Sequence, residues 1–273
     1  MAVKVSTFPL TERINLVVKL AHGSVVLNAI DNVREAVVRL APRDESSDVL
    51  DRFTVELRGS TLLVAGPRQG GLLDLISNWR RDREAVDVVV EVPAGTPVKV
   101  ASASADVTGT GRCGSADIAI GAANVTFDVV AGDFRLRCGS GETRVRSVSG
   151  GAQVRAGSGS AHFGDVGGGL ECGFGSGQVT AEAVRGGVRV RGGAGSAEVG
   201  ATYGDVDIAF GSGPIRVGLP AGTPARVDVT SGSGHVHSDL AVESAPAKSG
   251  EPISVRARTG SGDVHLTRSP SAA

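Results

Sequence analysis

The stretch GGAQVRAGSGSAHFGDVG (residues 150–167) is followed by GGLECGFGSGQVTAEAVR (168–185) and GGVRVRGGAGSAEVGATY (186–203). Aligned without gaps, the three windows share an 18-residue period. Gly132, Gly150, Gly168, Gly186 and Gly204 keep that period, and so do Gly141, Gly159, Gly177, Gly195 and Gly213. The second series carries a repeated Gly-Ser-Gly. Collagen would have a period of three, and a flexible linker would have none. Between glycines the residues alternate apolar and polar, as a strand with one buried face requires. The first half-repeat aligns Phe134/Leu136/Cys138, Ala152/Val154/Ala156, Leu170/Cys172/Phe174, Val188/Val190/Gly192 and Val206/Ile208/Phe210. The second aligns Thr143/Val145, Ala161/Phe163, Val179/Ala181, Ala197/Val199 and Ile215/Val217. A single position follows, with Val148, Val166 and Val184 apolar and Thr202 polar.

Equivalent positions stacked at the strand spacing of about 4.8 Å form columns. The columns are volume-compensated: Phe174 falls between Ala156 and Gly192, and Phe163 between Val145 and Ala181. Large beside small is what close packing needs. The spacing therefore predicts an all-β protein, a single-chain β-solenoid (β-helix) of short-stranded 18-residue coils over residues 96–268, with an insertion at 239–252. The tail 269–273 reads as disordered. Neither handedness nor the number of faces per coil follows from the spacing. The glycines are read as turn residues, where positive φ or close backbone approach is needed. No Gly-Lys-Ser/Thr follows them to suggest a phosphate cradle.

Residues 1–95 do not keep the period. They read as a β-rich region capping or starting the solenoid, with strands around Ile14–Leu20, Val25–Leu27, Phe53–Leu57, Leu62–Val64 and Val86–Val92. Asp31–Leu40 leans to strand by its β-branched content, and Leu72–Trp79 reads as a short helix.

Composition agrees with a thin core. There are 40 Gly and only 3% aromatics, while 28 Lys+Arg against 29 Asp+Glu give a formal charge of −1. So even a balance argues against a nucleic-acid binder. Cys113, Cys138 and Cys172 are an odd set with no CxxC spacing, so neither a disulfide framework nor a zinc motif is indicated. The N-terminus has no uninterrupted apolar segment of signal-peptide type, and no run is long enough to span a membrane. A cytoplasmic location is the resulting expectation.

Two clusters could carry chemistry. His235, His237, Asp263 and His265 occupy equivalent places in the last two repeats. They could bind a divalent metal or respond to pH, beside the plainer reading of solvated histidines on one face. Arg135, Arg137, Arg155, Arg189 and Arg191 could form an anion-facing patch, although Asp133, Glu142, Asp165, Glu171 and Glu182 are interspersed. No catalytic residue, cofactor or metal is expected. Lyases and glycosidases on β-helices need convergent carboxylates, a basic residue or a catalytic His in a cleft, so an enzyme of that kind is to be dropped if the faces show no carboxylate-lined cleft.

Gly139-Ser-Gly-Glu-Thr-Arg-Val145, Gly175-Ser-Gly-Gln-Val179, Gly232-Ser-Gly-His-Val236 and Gly260-Ser-Gly-Asp-Val-His-Leu266, with the lead-in Val90-Glu-Val-Pro-Ala-Gly-Thr-Pro-Val-Lys-Val100, carry a family resemblance. The chain resembles the bacterial putative-adhesin β-strand-repeat proteins, a domain of unknown function. It is more weakly similar to bactofilins, which polymerise end to end. The first resemblance implies a β-solenoid without catalytic residues, with some members linked to the cell envelope or its stress response. The functional expectation is thus a non-enzymatic structural or interaction module with a protein or envelope partner. The alternatives are a self-assembling, bactofilin-like cytoskeletal protein and, less favoured, a carbohydrate-active β-helix enzyme.

Overall fold

A computed structural model describes residues 3–44, 48–67, 85–240 and 252–269. Among the described residues strands account for 75% and helix is nearly absent. The expected β-solenoid, or β-helix, is not what they build. The strands form a closed parallel barrel of six, with further strands outside it. The expectation assumed short strands that stop at each Gly-Ser-Gly corner. Five strands, Asn15–Ile30, Val98–Cys113, Ala152–Val166, Leu170–Val184 and Val188–Thr202, instead run on through the corner for 15 or 16 residues, whereas strands do stop at Gly141, Gly213 and Gly262. A ladder that bends without breaking can close on itself, and closure removes the free edges of a sheet. Contacts divide the chain into two compact units, Met1–Gly141 and Glu142–Ala273.

The first unit contains β1 (Lys4–Pro9), β2 (Asn15–Ile30), β3 (Glu35–Pro42), a 3-10 turn (Asp48–Arg52), β4 (Thr54–Arg58), β5 (Thr61–Ala65), β6 (Val86–Pro93), β7 (Val98–Cys113), β8 (Ala116–Ala122), β9 (Val125–Val130) and β10 (Phe134–Ser140). The β-branched run after Asp31 is indeed a strand, β3. The helix expected over Leu72–Trp79 lies outside the described residues. β2 is one long strand where the sequence reads as two. Its first half pairs in parallel with β5, its second half with β6, and its other edge with β7 along most of its length. β7 repeats the device, pairing with β8 through Val98–Ser102 and with β9 from Val107. The antiparallel pairs β1–β3, β3–β6 and β4–β5 are confined to this unit. Inward columns such as Val100–Ile118–Leu136 are buried.

The second unit contains β11 (Glu142–Val148), β12 (Ala152–Val166), β13 (Leu170–Val184), β14 (Val188–Thr202), β15 (Val206–Ser212), β16 (Ile215–Pro220), β17 (Ala225–Ser233), β18 (Val236–Ser238), β19 (Ile253–Ser261) and β20 (Val264–Ser269). Partners in β12–β15 are offset by the sequence period. Ala152, Leu170, Val188 and Val206 lie side by side, as do Val154, Cys172, Val190 and Ile208. The column Ala156–Phe174–Gly192–Phe210 alternates small and large. A Cβ on Gly192 would meet the Phe210 ring, so glycine there makes room for that aromatic side chain. Thr202, the polar member of its column, is fully buried and donates its hydroxyl to the Gly204 carbonyl at 3.3 Å.

Beyond β15 the strands do not follow chain order. β19 pairs with β15 on one side and β17 on the other, so the last repeat is inserted between its two predecessors. The same holds on the second face, in the order β16–β20–β18. Charge explains the choice. The outward column reads Glu171, Arg189, Asp207, Arg256, Asp228, alternating in sign at every step. Chain order would set Asp207 against Asp228 and leave Arg256 at the end. Opposite charges directly across a strand pair stabilise it and like charges destabilise it. Among the described residues no helix is long and apolar enough to cross a membrane.

Candidate functional site

The outer face of the second unit gathers most of the chemistry. Beside the sign-alternating column runs a second one, Arg155, Gly173, Arg191, Ala209, Arg258. In it each large cation is separated from the next by a residue with little or no side chain. The gaps at Gly173 and Ala209 open a shallow groove of about 750 Å³, lined by Arg155, Phe174, Arg191 and Phe210 among others. Its floor is apolar and its rim cationic.

The cations are unequally committed. Arg191 holds Asp207 in a two-pronged ion pair, with Nη1 donating to Oδ1 at 3.0 Å and Nη2 to Oδ2. Nη1 also donates to the Asp207 carbonyl at 3.1 Å. That hydrogen-bonded guanidinium holds the Asp207 carboxyl below the usual carboxylate range, against the opposing pull of partial burial. Arg256 Nε and Arg258 Nη2 share Oδ2 of Asp228 at 3.2 and 3.1 Å. The hydrogen bond from Arg258, then that from Arg256, lowers the Asp228 carboxyl. Among the described residues Arg155 and Arg189 have no ion-pair partner, although Arg189 lies between Glu171 and Asp207 in its column. The two columns together carry five arginines against three carboxylates.

The arginines expected to form one patch are distributed over both units. Arg155, Arg189 and Arg191 share the face just described. Arg135 and Arg137 belong to β10 of the first unit, where they meet Asp133 at 3.1 Å and Asp117 at 3.4 Å. Lys99 also reaches Asp117, at 3.5 Å. Sequence reasoning found the arginines but missed Arg256 and Arg258, because the period slips before β19. It also missed a hollow of about 770 Å³ in the first unit, lined by Lys19, Arg52, Glu56 and Arg58 among others. The pairing of β2 with β5 that builds it has no signature in the repeat.

The histidines resolve into two pairs. The backbone N–H of His235 donates to Asp263 Oδ1 at 2.9 Å, and this bond is the main cause of that carboxyl's lowered pKa. His237 and His265 are strand partners with ring centroids 5.6 Å apart, and His237 Nε2 lies 3.1 Å from Asp239 Oδ1. Among the described residues no group of three or more His, Cys, Asp or Glu is placed to hold a metal ion. The cysteines are poor nucleophiles. Burial, then the nearby Asp128 charge, pushes the Cys113 thiol up to about 11. Burial raises Cys172 further, with Glu171 adding to it, and burial raises Cys138 as well. A thiol that stays protonated near neutral pH neither attacks nor ligates readily.

No family model matches the chain, and no curated protein matches it. Among solved structures, a "putative adhesin" from Bacteroides fragilis is 10% identical over 97% of each chain, with a TM-score of 0.40. A "putative lipid binding protein" from Parabacteroides distasonis is 11% identical, over 97% of this chain and 96% of that one, with a TM-score of 0.42. A "putative cell adhesion protein" from Clostridium sporogenes is 12% identical, over 98% and 100%, with a TM-score of 0.24. Nothing in these comparisons supports the weaker resemblance to bactofilins.

Proposed function

We propose that the chain is a non-enzymatic interaction module whose outer face in the second unit binds an acidic polysaccharide, with the cell envelope as the setting that the family resemblance implies. The observation that carries this reading is the column Arg155–Gly173–Arg191–Ala209–Arg258. Successive arginines sit two strand steps apart, about 9.6 Å at the usual spacing. A rigid row of cations at regular intervals above an apolar groove suits a linear polymer with regularly spaced carboxylates. Arginine favours that partner because its planar donor fork matches a carboxylate. Among the described residues the fork of Arg155 is uncommitted, while Arg191 and Arg258 are shared with Asp207 and Asp228. The surplus of cations over acids on the face supplies a modest attraction, and salt should weaken it.

Calorimetric titration with polygalacturonate tests the proposal. Affinity should fall as sodium chloride is raised. Arg155→Glu combined with Arg189→Gln should weaken binding by about fivefold or more, since one cation is reversed and a second removed. Both residues are exposed and make no ion pair among the described residues, and glutamine at 189 sets no third carboxylate between Glu171 and Asp207, so folding should be retained. Absence of binding, or binding that the double variant leaves unchanged, contradicts the reading. Binding to anionic vesicles but not to the polymer would replace the polysaccharide with a membrane surface.

A further inference from the structure

β17 ends the order β15–β19–β17, and among the described residues its outer edge has no strand partner. The layer it belongs to is unfinished. In the row Val206–Val255–Val227 the first two side chains are buried, whereas Val227 is 43% exposed. Val236 of β18, in the same terminal layer, is 49% exposed. An open edge with uncovered valines is a template for another strand.

The sequence of that edge says which strand fits. Ala225-Arg-Val-Asp-Val229 is complementary to itself when read in reverse. Antiparallel pairing centred on Val227 sets Val227 against its own copy and Ala225 against Val229 on the inward side. On the outward side it sets Arg226 against Asp228, twice. Directly opposed residues share a face, so both the apolar and the charged matches are made together. Arg226 has no ion-pair partner among the described residues. Asp228 is held by Arg256 and Arg258 from one side only, leaving its other side toward the open edge.

We propose that this edge joins two copies of the chain through a two-fold antiparallel β17–β17 pair, each Arg226 meeting the other copy's Asp228. A two-fold joint is closed, since each copy uses the same patch and none is left over. It therefore yields a dimer and no filament. The joint is tested separately from the polysaccharide reading, because neither Arg155 nor Arg189, the residues substituted there, takes part.

Sedimentation equilibrium of the full chain tests it. The wild-type protein should show a concentration-dependent monomer–dimer equilibrium. Val227→Lys, which opposes two cations across the axis, should be monomeric. Arg226→Asp, which opposes two pairs of carboxylates, should raise the dimer dissociation constant at least tenfold. Both residues are exposed, and unchanged circular dichroism would show that the fold is intact. A wild-type monomer at all concentrations overturns the proposal, including when β17 amides are protected from exchange by cover from within the chain. A dimer indifferent to both substitutions overturns it too.

Discussion

Gly195→Ala should destabilise the protein by about 3 kcal/mol, through backbone strain and a steric clash that add. Gly195 has φ of +144°, a region that side-chain-bearing residues rarely adopt. A Cβ built there would also fall inside the Gly177 carbonyl oxygen, which belongs to the neighbouring strand and cannot give way alone. The corner glycines are stacked, so a shift at one is passed to the next. Gly173→Ala is the matched control. A Cβ at that position meets nothing within 4 Å. Its stability should stay within about 1 kcal/mol of wild type, because restricting the unfolded chain offsets any small loss. Urea unfolding of the two variants reads the difference directly. Equal midpoints would mean that the corners are not built as described.

Arg256→Asp should release the C-terminal repeat. The substitution places a third carboxylate between Asp207 and Asp228, where the native guanidinium separates them. It also removes one of the two cations that hold Asp228. Amide exchange in β17 and β19 should quicken by about tenfold or more while β12 and β13 keep their protection, because opening is local to the elements that lose contacts. High salt should restore much of the protection, since the column is exposed and screening at about 1 M reaches across a few Å. Arg256→Gln, which removes the charge without inverting it, should lie between the two. Uniform loss of protection along the chain, or none, would show that the alternating column does not set the strand order.

The inward columns were legible because two independent signals coincide, the glycine period and the alternation between glycines. Leu170 beside Val188, and Phe174 beside Gly192, follow from counting alone. What those columns build was not legible. Gly-Ser-Gly reads as the end of a strand, yet at Gly159 and Gly195 glycine at positive φ lets a strand bend while its ladder continues. From β12 to β14 the hydrogen bonds pass through the corners at Gly159, Gly177 and Gly195, and the expected stack of short-stranded coils gives way to a closed barrel. The order β15–β19–β17 was missed for another reason. The period fails after Gly213, so no count can place the last two repeats. The signal that could have placed them was electrostatic: only Arg256 separates Asp207 from Asp228. In the first unit the strands were visible as apolar runs, but nothing in them records that β2 would serve β5, β6 and β7 together. The groove was half legible. The Phe–Gly alternation was read as packing, and its second consequence, space at the surface between arginines, needs the outward column as well.

The account rests on strand order in the second unit, and pairwise cysteine cross-linking measures that order most directly. Asp207 and Arg256 are strand partners, about 4.8 Å apart across one step and within disulfide reach, whereas Asp207 and Asp228 are two steps apart at about 9.6 Å. The native thiols Cys113 and Cys172 are buried and compete little, and the half-buried Cys138 is replaced by alanine in both proteins. Under mild oxidation the Asp207→Cys/Arg256→Cys protein should close an intramolecular disulfide, seen by peptide mass mapping, and the Asp207→Cys/Asp228→Cys protein should not. A disulfide in the second protein and none in the first would contradict the inserted repeat and the charge argument that explains it.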